Sequence, residues 1–204
     1  MFCKTTSTTD NAAKWFQSDF RFHQLYPADM RRLASQHWTP LQVVKQATDY
    51  LADRAGVRIL DIGSGIGKFC LSGAWLQPGA TFYGVEQRDN LIGYAQAAQH
   101  ALGLQNVHFY HGNFTQLNLS DYHHFYCFNP FYENLKNTDK IDDTIAFSAE
   151  LYHYYNRFLH RQLEYMPVGT RVVTFHSLGN EIPASYQLAD VWMDDMLKFW
   201  MKYK

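Results

Sequence analysis

The chain has 204 residues, 47% of them hydrophobic and 17% aromatic, which suffices for one substantial α/β core and falls short of two. Eighteen basic residues against nineteen acidic leave a net charge of −1, so the basic footprint of most nucleic-acid binders is missing and nucleic acid is the less expected partner. Three scattered cysteines, Cys3, Cys70 and Cys127, give neither a disulfide framework nor a zinc ribbon, and a reducing compartment is the default.

Residues 1–10, MFCKTTSTTD, are polar and lack the apolar core of a signal peptide, and no run is long enough to span a bilayer. The expectation is a flexible N-terminus, a cytoplasmic location and no membrane partner. Residues 11–55 read as a cap of three helical segments ahead of any strand, within the same domain. The first carries Trp15, Phe16, Phe20 and Tyr26 and stops at Pro27; the second places Met30, Leu33, Ala34 and His37 at helical spacing. The third opens with Thr39-Pro40-Leu41-Gln42. There Thr39 can cap, Pro40 suits the first helical position, and Gln42 completes a capping box.

Residues 57–70, VRILDIGSGIGKFC, organise the remainder of the chain. Val57, Ile59 and Leu60 suit a strand buried on both faces of a parallel sheet. Asp61 ends it, the glycine-rich turn Gly63-Ser64-Gly65-Ile66-Gly67 comes next, and a helix runs over 68–76. Glycines at this spacing let the backbone approach a ligand and take positive φ. A dinucleotide fingerprint needs a small residue where Lys68 stands, and a phosphate loop needs glycine at Ile62 and a hydroxyl at Phe69. The first fits poorly and the second fails.

A second strand, 81–86, ends in Glu86, whose carboxylate can accept hydrogen bonds from both hydroxyls of a ribose. Asp89 can cap a helix with Leu91, Ala95, Ala98 and Leu102 on its apolar face, stopped by Gly103. Residues 106–114 read as the third strand and its exit, ending in Asn113 and Phe114. The fourth strand, 124–128, leads into Asn129-Pro130-Phe131-Tyr132. A long helix is expected over 142–166, a fifth strand over 171–176, and a terminal hairpin around Asp194-Asp195. Strands alternating with helices imply a doubly wound, mostly parallel seven-strand sheet, with helices on both faces and the ligand at the carboxyl ends of its strands. Asp61, Glu86, Asn113 and Asn129 all fall at such ends. His108 and His111, like His123 and His124, are out of phase for one strand face, so no metal site is expected. His153 and His160 read as core or flank of the long helix, and Cys127 as a buried, inert thiol.

The order of hydrophobic strand, Asp, three alternating glycines and helix resembles motif I of the class I, seven-strand methyltransferases that use S-adenosylmethionine (SAM). The resemblance covers roughly residues 39–204 and makes 56–204 the SAM-binding domain. It implies SAM as cofactor and its demethylated product as a second ligand. It places Asp61, Gly63, Ser64, Gly65 and Gly67 along the methionine part and Glu86, with Gln87 beside it, at the ribose. The family's adenine-binding acid is replaced by Asn113, whose Oδ1 can accept the same hydrogen bond, and Phe114 can stack on the ring. The pre-strand helices would form a lid bringing Trp38 and Thr39 to the cofactor; alternatively Thr39 belongs to a capped helix packed on the sheet.

Asn129-Pro130-Phe131-Tyr132 resembles the Asn-Pro-Pro-Tyr motif of methyltransferases acting on planar nitrogen, with Phe131 in place of the second proline. Similar exits occur in seven-strand lysine methyltransferases. The resemblance makes these four residues catalytic and sets Asn129 against the cofactor as well: the Asn129 oxygen and the Pro130 carbonyl take the hydrogens of a nitrogen nucleophile, and Phe131 or Tyr132 covers it. A protein lysine, a small molecule and a nucleic acid remain the candidate acceptors, and a non-catalytic SAM- or NAD-binding module is the reading outside catalysis.

Overall fold

A computed structural model of the chain describes residues 12–177 and 179–204; the flexible N-terminus expected over 1–10, and Cys3 with it, lies outside the described residues. β1 (Arg58–Ile62) pairs on one side with β2 (Thr81–Glu86) and on the other with β4 (His124–Phe128), in parallel with both, and is buried at every residue after Arg58. Its apolar, β-branched run therefore covers both faces, as a central parallel strand must. With β3 (Val107–His111), β5 (Arg171–Phe175), β6 (Tyr186–Trp192) and β7 (Leu197–Lys202), the sheet has the order β3-β2-β1-β4-β5-β7-β6. The first five strands are parallel, and β7 runs antiparallel to both β5 and β6. Strand order reverses between β1 and β4, which leaves a crevice at their carboxyl ends.

Side chains alternate across β1. Ile59 joins the core on one face, with Val44 and Leu51 of α4 (Leu41–Leu51), Leu71 and Ala74 of α5 (Lys68–Leu76), and Leu91 and Ala95 of α6 (Asp89–Leu102). Leu60 and Ile62 join the other, beneath Tyr155, Leu159 and Leu163 of α7 (Ala149–Glu164). The doubly wound sheet expected from the alternation of elements is the one observed. α5 and β4 keep the expected bounds, α6 stops at Gly103 with φ 69°, and the hairpin turns through Met193, Asp194 and Asp195 at positive φ. Among the described residues no helix is long and apolar enough to cross a membrane.

The helical periodicity over 11–55 is overruled in places by local hydrogen bonding. The first segment divides at Ser18 into a 3-10 turn, Lys14–Gln17, and α1 (Asp19–His23), because the Ser18 side chain accepts from the Arg21 N–H and starts a new helix. The second divides into α2 (Ala28–Arg31) and α3 (Ala34–His37). Thr39 does not cap α4. Pro40 holds that position without a side-chain bond, and the Leu41 N–H donates instead to Asp19 Oδ1 at 3.0 Å. Thr39 Oγ1 lies 3.1 Å from Tyr126 OH, so the capping box does not form. Asp89 is the first residue of α6, with Arg88 at the cap. The long helix starts at Ala149, capped by Ser148, because the Asp142 carboxylate is committed to Thr144 and Arg88.

Candidate active site

The carboxyl ends of β1, β2, β4 and β5 open onto a cavity of about 720 Å³. Gly63, Gly65, Glu86, Gln87, Phe114 and the run Asn129, Pro130, Phe131 and Tyr132 all line it. A smaller alcove of about 40 Å³ lies behind the glycine turn, lined by Thr39, Asp61, Ser64 and Tyr126 and sharing Gly63 and Lys68 with the main cavity. Of the residues expected at the site, Gly67 and Asn113 line neither space.

Gly63, Gly65 and Gly67 all have positive φ. A Cβ at Gly65 would meet nothing within 4 Å, so that position turns an open backbone face outward, whereas one at Gly63 would come within 2.9 Å of Pro130 Cβ. The exits of β1 and β4 are thus held in contact by the missing side chain. Glu86 is buried. Its Oε2 accepts from the Gly65 N–H at 3.2 Å and its Oε1 from the Arg88 N–H at 3.0 Å, which fixes the glycine turn against the tip of β2. Burial raises its pKa, opposed by the Arg88 N–H and charge.

Asp61 stands on the α5 side of β1, 3% exposed, where burial, reinforced by the Glu86 charge, raises its carboxyl to about 8. The Cys70 thiol, 3.7 Å away, opposes the shift. Beside it, Ser64 Oγ is buried and has no hydrogen-bond partner among the described residues. A buried carboxyl next to an unsatisfied hydroxyl suits an incoming ligand ammonium once the carboxyl has given up its proton.

Some side chains on the walls were not anticipated from sequence. Lys68, 3% exposed, is ion-paired with Asp19 and lies 3.0 Å from His23 Nε2. Burial and the Lys68 charge lower the His23 pKa, so the imidazole is neutral and accepts from the ammonium. Arg88 donates through Nε to Asp142 at 2.9 Å and through Nη2 to Glu133 at 2.5 Å, with Phe147 5.7 Å from its guanidinium. His176 completes the wall at the tip of β5. The one sequence signal for Lys68 is its position, a lone charge opening the apolar helix KFCLSGAWL; the Arg88 cluster joins residues far apart and leaves no periodic trace.

The Asn113 amide is fully engaged. Oδ1 accepts from the Thr115 N–H at 3.0 Å and hydroxyl at 2.9 Å, while Nδ2 donates to Gln87 Oε1 and Tyr155 OH. It holds the loop that presents Phe114, whose ring stacks on Phe131 at 5.3 Å. Asn129 has φ 37°, and its carbonyl accepts from the Tyr132 N–H at 3.1 Å. Among the described residues its amide makes no hydrogen bond, so it remains available to a ligand.

SAM fits these residues: an alcove for its amino-acid end, an open glycine turn, a carboxylate at a strand tip and an aromatic ring beyond. Fold and cavity together are those of the class I, SAM-dependent methyltransferase family. The family described as "Methyltransferase domain" matches residues 53–155, half of the chain, and the chain belongs to it. The chain is 42% identical over 73 residues to the 23S rRNA (uracil(1939)-C(5))-methyltransferase RlmD of Shewanella sp. (strain MR-4), which is 36% of this chain and 16% of that protein. It is 41% identical over 97 residues to the tRNA (guanine-N(7)-)-methyltransferase of Synechococcus sp. (strain JA-3-3Ab), 44% of this chain and 40% of that protein. The chain therefore spans less than half the length of these curated relatives. In fold it is similar to an RNA methyltransferase from Salinibacter ruber solved with S-adenosyl-L-homocysteine, at a TM-score of 0.57 and 20% identity, covering 81% of this chain and 94% of that one. The protein MtNAS, solved with MTA and tNA, gives 0.58 at 15% identity, covering 97% and 70%.

Proposed function

We propose that the chain transfers the methyl group of SAM to a nitrogen nucleophile seated in the main cavity. The observation that carries this reading is Asn129: a left-handed residue at the tip of β4, amide unengaged, held by the Gly63–Pro130 contact beside the glycine turn. Bound against that turn, SAM supplies a methyl group on a positively charged sulfur. Glu86 takes the ribose hydroxyls, Asp61 and Ser64 take the amino-acid end in the alcove, with Thr39 closing its wall, and Phe114 packs on the adenine. Gln87 and Asn113 brace that wall through their mutual hydrogen bond of 3.1 Å, so Asn113 is a positioning residue rather than the adenine acceptor.

The Asn129 Oδ1 and the Pro130 carbonyl accept hydrogens from the nucleophile and aim its lone pair, while Phe131 and Tyr132 hold its flat or cationic face. The N-terminal segment narrows the mouth, where Gln36 Nε2 donates to Asp139 Oδ2 at 3.1 Å, and so limits water. An acceptor small enough to enter this cavity, or a protein lysine reaching into it, matches the near-zero net charge. A second reading, a nucleobase of RNA, is favoured by the relatives, whose names specify tRNA guanine and rRNA uracil. In that case the base would leave its stack and lie between the aromatic walls.

Incubating the protein with methyl-labelled SAM and a cell lysate, then fractionating the label, tests both readings. Label on small molecules or protein supports the first, and label on RNA supports the second. No incorporation in any fraction overturns methyl transfer and leaves a cofactor-binding module.

A further inference from the structure

We infer that His176 is the proton acceptor for the incoming nitrogen, paired with Asn129 across the adjoining tips of β5 and β4. The inference rests on the nitrogen-acceptor reading and supplies the base that reading lacks. Phe128 and Phe175 are register partners in the parallel β4–β5 pair, so the next residues, Asn129 and His176, leave the sheet side by side. Both line the main cavity.

Both also hold left-handed backbone conformations, at φ 37° and 53°. Asn and His are the non-glycine residues that tolerate this region best, yet it still carries a cost that the surroundings must sustain. For His176 they do so through its N–H, which donates to the Met196 carbonyl at 2.8 Å. Two such residues at neighbouring exits turn two polar side chains toward one space. The His176 ring lies 5.6 Å from Phe128 at 28° and 4.2 Å from Phe175, supported from below by apolar rings. Among the described residues neither ring nitrogen is hydrogen-bonded, and partial burial lowers the pKa, so the imidazole is neutral and free to take a proton. His23, by contrast, is occupied by Lys68.

The step balances without a further reactant. The nitrogen lone pair forms the new N–C bond as the C–S bond breaks and its electron pair passes to sulfur. The proton shed by the nitrogen goes to His176 and from there to water. Asn129 holds a second N–H and so fixes which lone pair attacks.

Sinefungin, a SAM analogue with an ammonium-bearing carbon in place of the methyl-bearing sulfur, tests this without knowledge of the acceptor, because its ammonium stands at the reacting position. Calorimetry would compare its affinity with that of S-adenosylhomocysteine, which lacks the group. In His176→Phe the preference for sinefungin should fall about tenfold while S-adenosylhomocysteine affinity is kept. His176→Asn, which tolerates the same backbone, should lose part of the preference. Equal loss for both ligands would assign His176 a structural role and overturn the proposal, as would loss of the preference in His37→Gln in its place. If Asn129→Ala loses the preference and the His176 variants keep it, the nitrogen subsite stands and His176 is not its base. If none of the variants changes it, the nitrogen-acceptor reading falls as well.

Discussion

With the cofactor's ammonium in the alcove, as proposed, the Asp61 carboxyl would couple cofactor binding to pH. With its pKa raised to about 8 by burial, only about one molecule in ten carries the carboxylate at pH 7 when no cofactor is bound. An ammonium in the alcove favours the charged form, so binding must expel a proton. The ionisation costs about 1.4 kcal/mol for each pH unit below the pKa. Affinity for S-adenosylhomocysteine should therefore fall about 50-fold from pH 8 to about pH 6, and binding near pH 7 should release about 0.9 proton. The sign for folding is opposite. The folded carboxyl titrates above the unfolded value of 3.8, so its contribution to stability is complete below that value and is lost as pH rises toward about 8. The cofactor-free protein should lose melting temperature across that window through this group, and the cofactor should restore most at the alkaline end. Calorimetric titration in buffers of differing ionisation enthalpy reads the proton directly, and Asp61→Asn should bind weakly with no pH dependence. An affinity that stays flat from pH 6 to pH 8 in the unaltered protein, with no proton released, would refute the coupling.

Glu86→Ala should weaken S-adenosylhomocysteine binding about ten- to a hundredfold, since each charge-assisted hydrogen bond contributes about 1.5–3 kcal/mol; an unchanged titration would remove Glu86 from the ribose. Asn129→Ala should keep that affinity within about twofold and lose incorporation of labelled methyl, whereas losing both would move Asn129 to the cofactor. Arg88→Met leaves Glu133 and Asp142 facing each other without their cation; a loss of about 3 kcal/mol is expected, with new proteolytic cleavage within 135–147. At Gly67 a Cβ would lie 2.5 Å from the Phe109 ring at φ 81°, so Gly67→Ala should lower stability by about 1–3 kcal/mol in denaturant titration. A melt identical to that of the unaltered protein would show that Phe109 moves aside at no cost.

The sheet was legible because its central strands are written in short apolar runs closed by an acid, a glycine or an Asn-Pro pair. Registers such as Phe128 with Phe175 were not legible, because strand order names the neighbours and leaves their offset to packing. The N-terminal helices were legible only as helical composition. Their boundaries depend on Ser18, which starts a new helix from within an apolar pattern, and on Asp19, which caps α4 from 22 residues away. Neither event has a period. Asn113 carried a readable warning: Asn-Phe-Thr lets the side chain bond its own backbone two residues on, and that local partner is the one it takes. The Arg88, Glu133 and Asp142 cluster gathers charges separated by 45 and 54 positions, a distance at which only the folded topology selects partners.

Asp19 serves two elements at once. One carboxylate oxygen accepts the first amide of α4 and also pairs with Lys68, the first residue of the helix after the glycine turn. Tyr26 adds a second tie by donating its hydroxyl to the Ile66 carbonyl within that turn, at 2.9 Å. The residues ahead of α4 are therefore anchored to the glycine turn and to the start of α5, while α4 itself packs on the sheet. Any ligand that rigidifies the turn stabilises the cap through the same two ties, because the cap cannot lift without breaking a half-exposed ion pair and a buried hydrogen bond. Asp19→Ala removes the first tie and the α4 cap together, so it should expose 12–38 to proteolysis while leaving the sheet intact. Saturating S-adenosylhomocysteine should restore protection in the unaltered protein more than in the variant, and equal protection in both would show that the cap and the turn move independently.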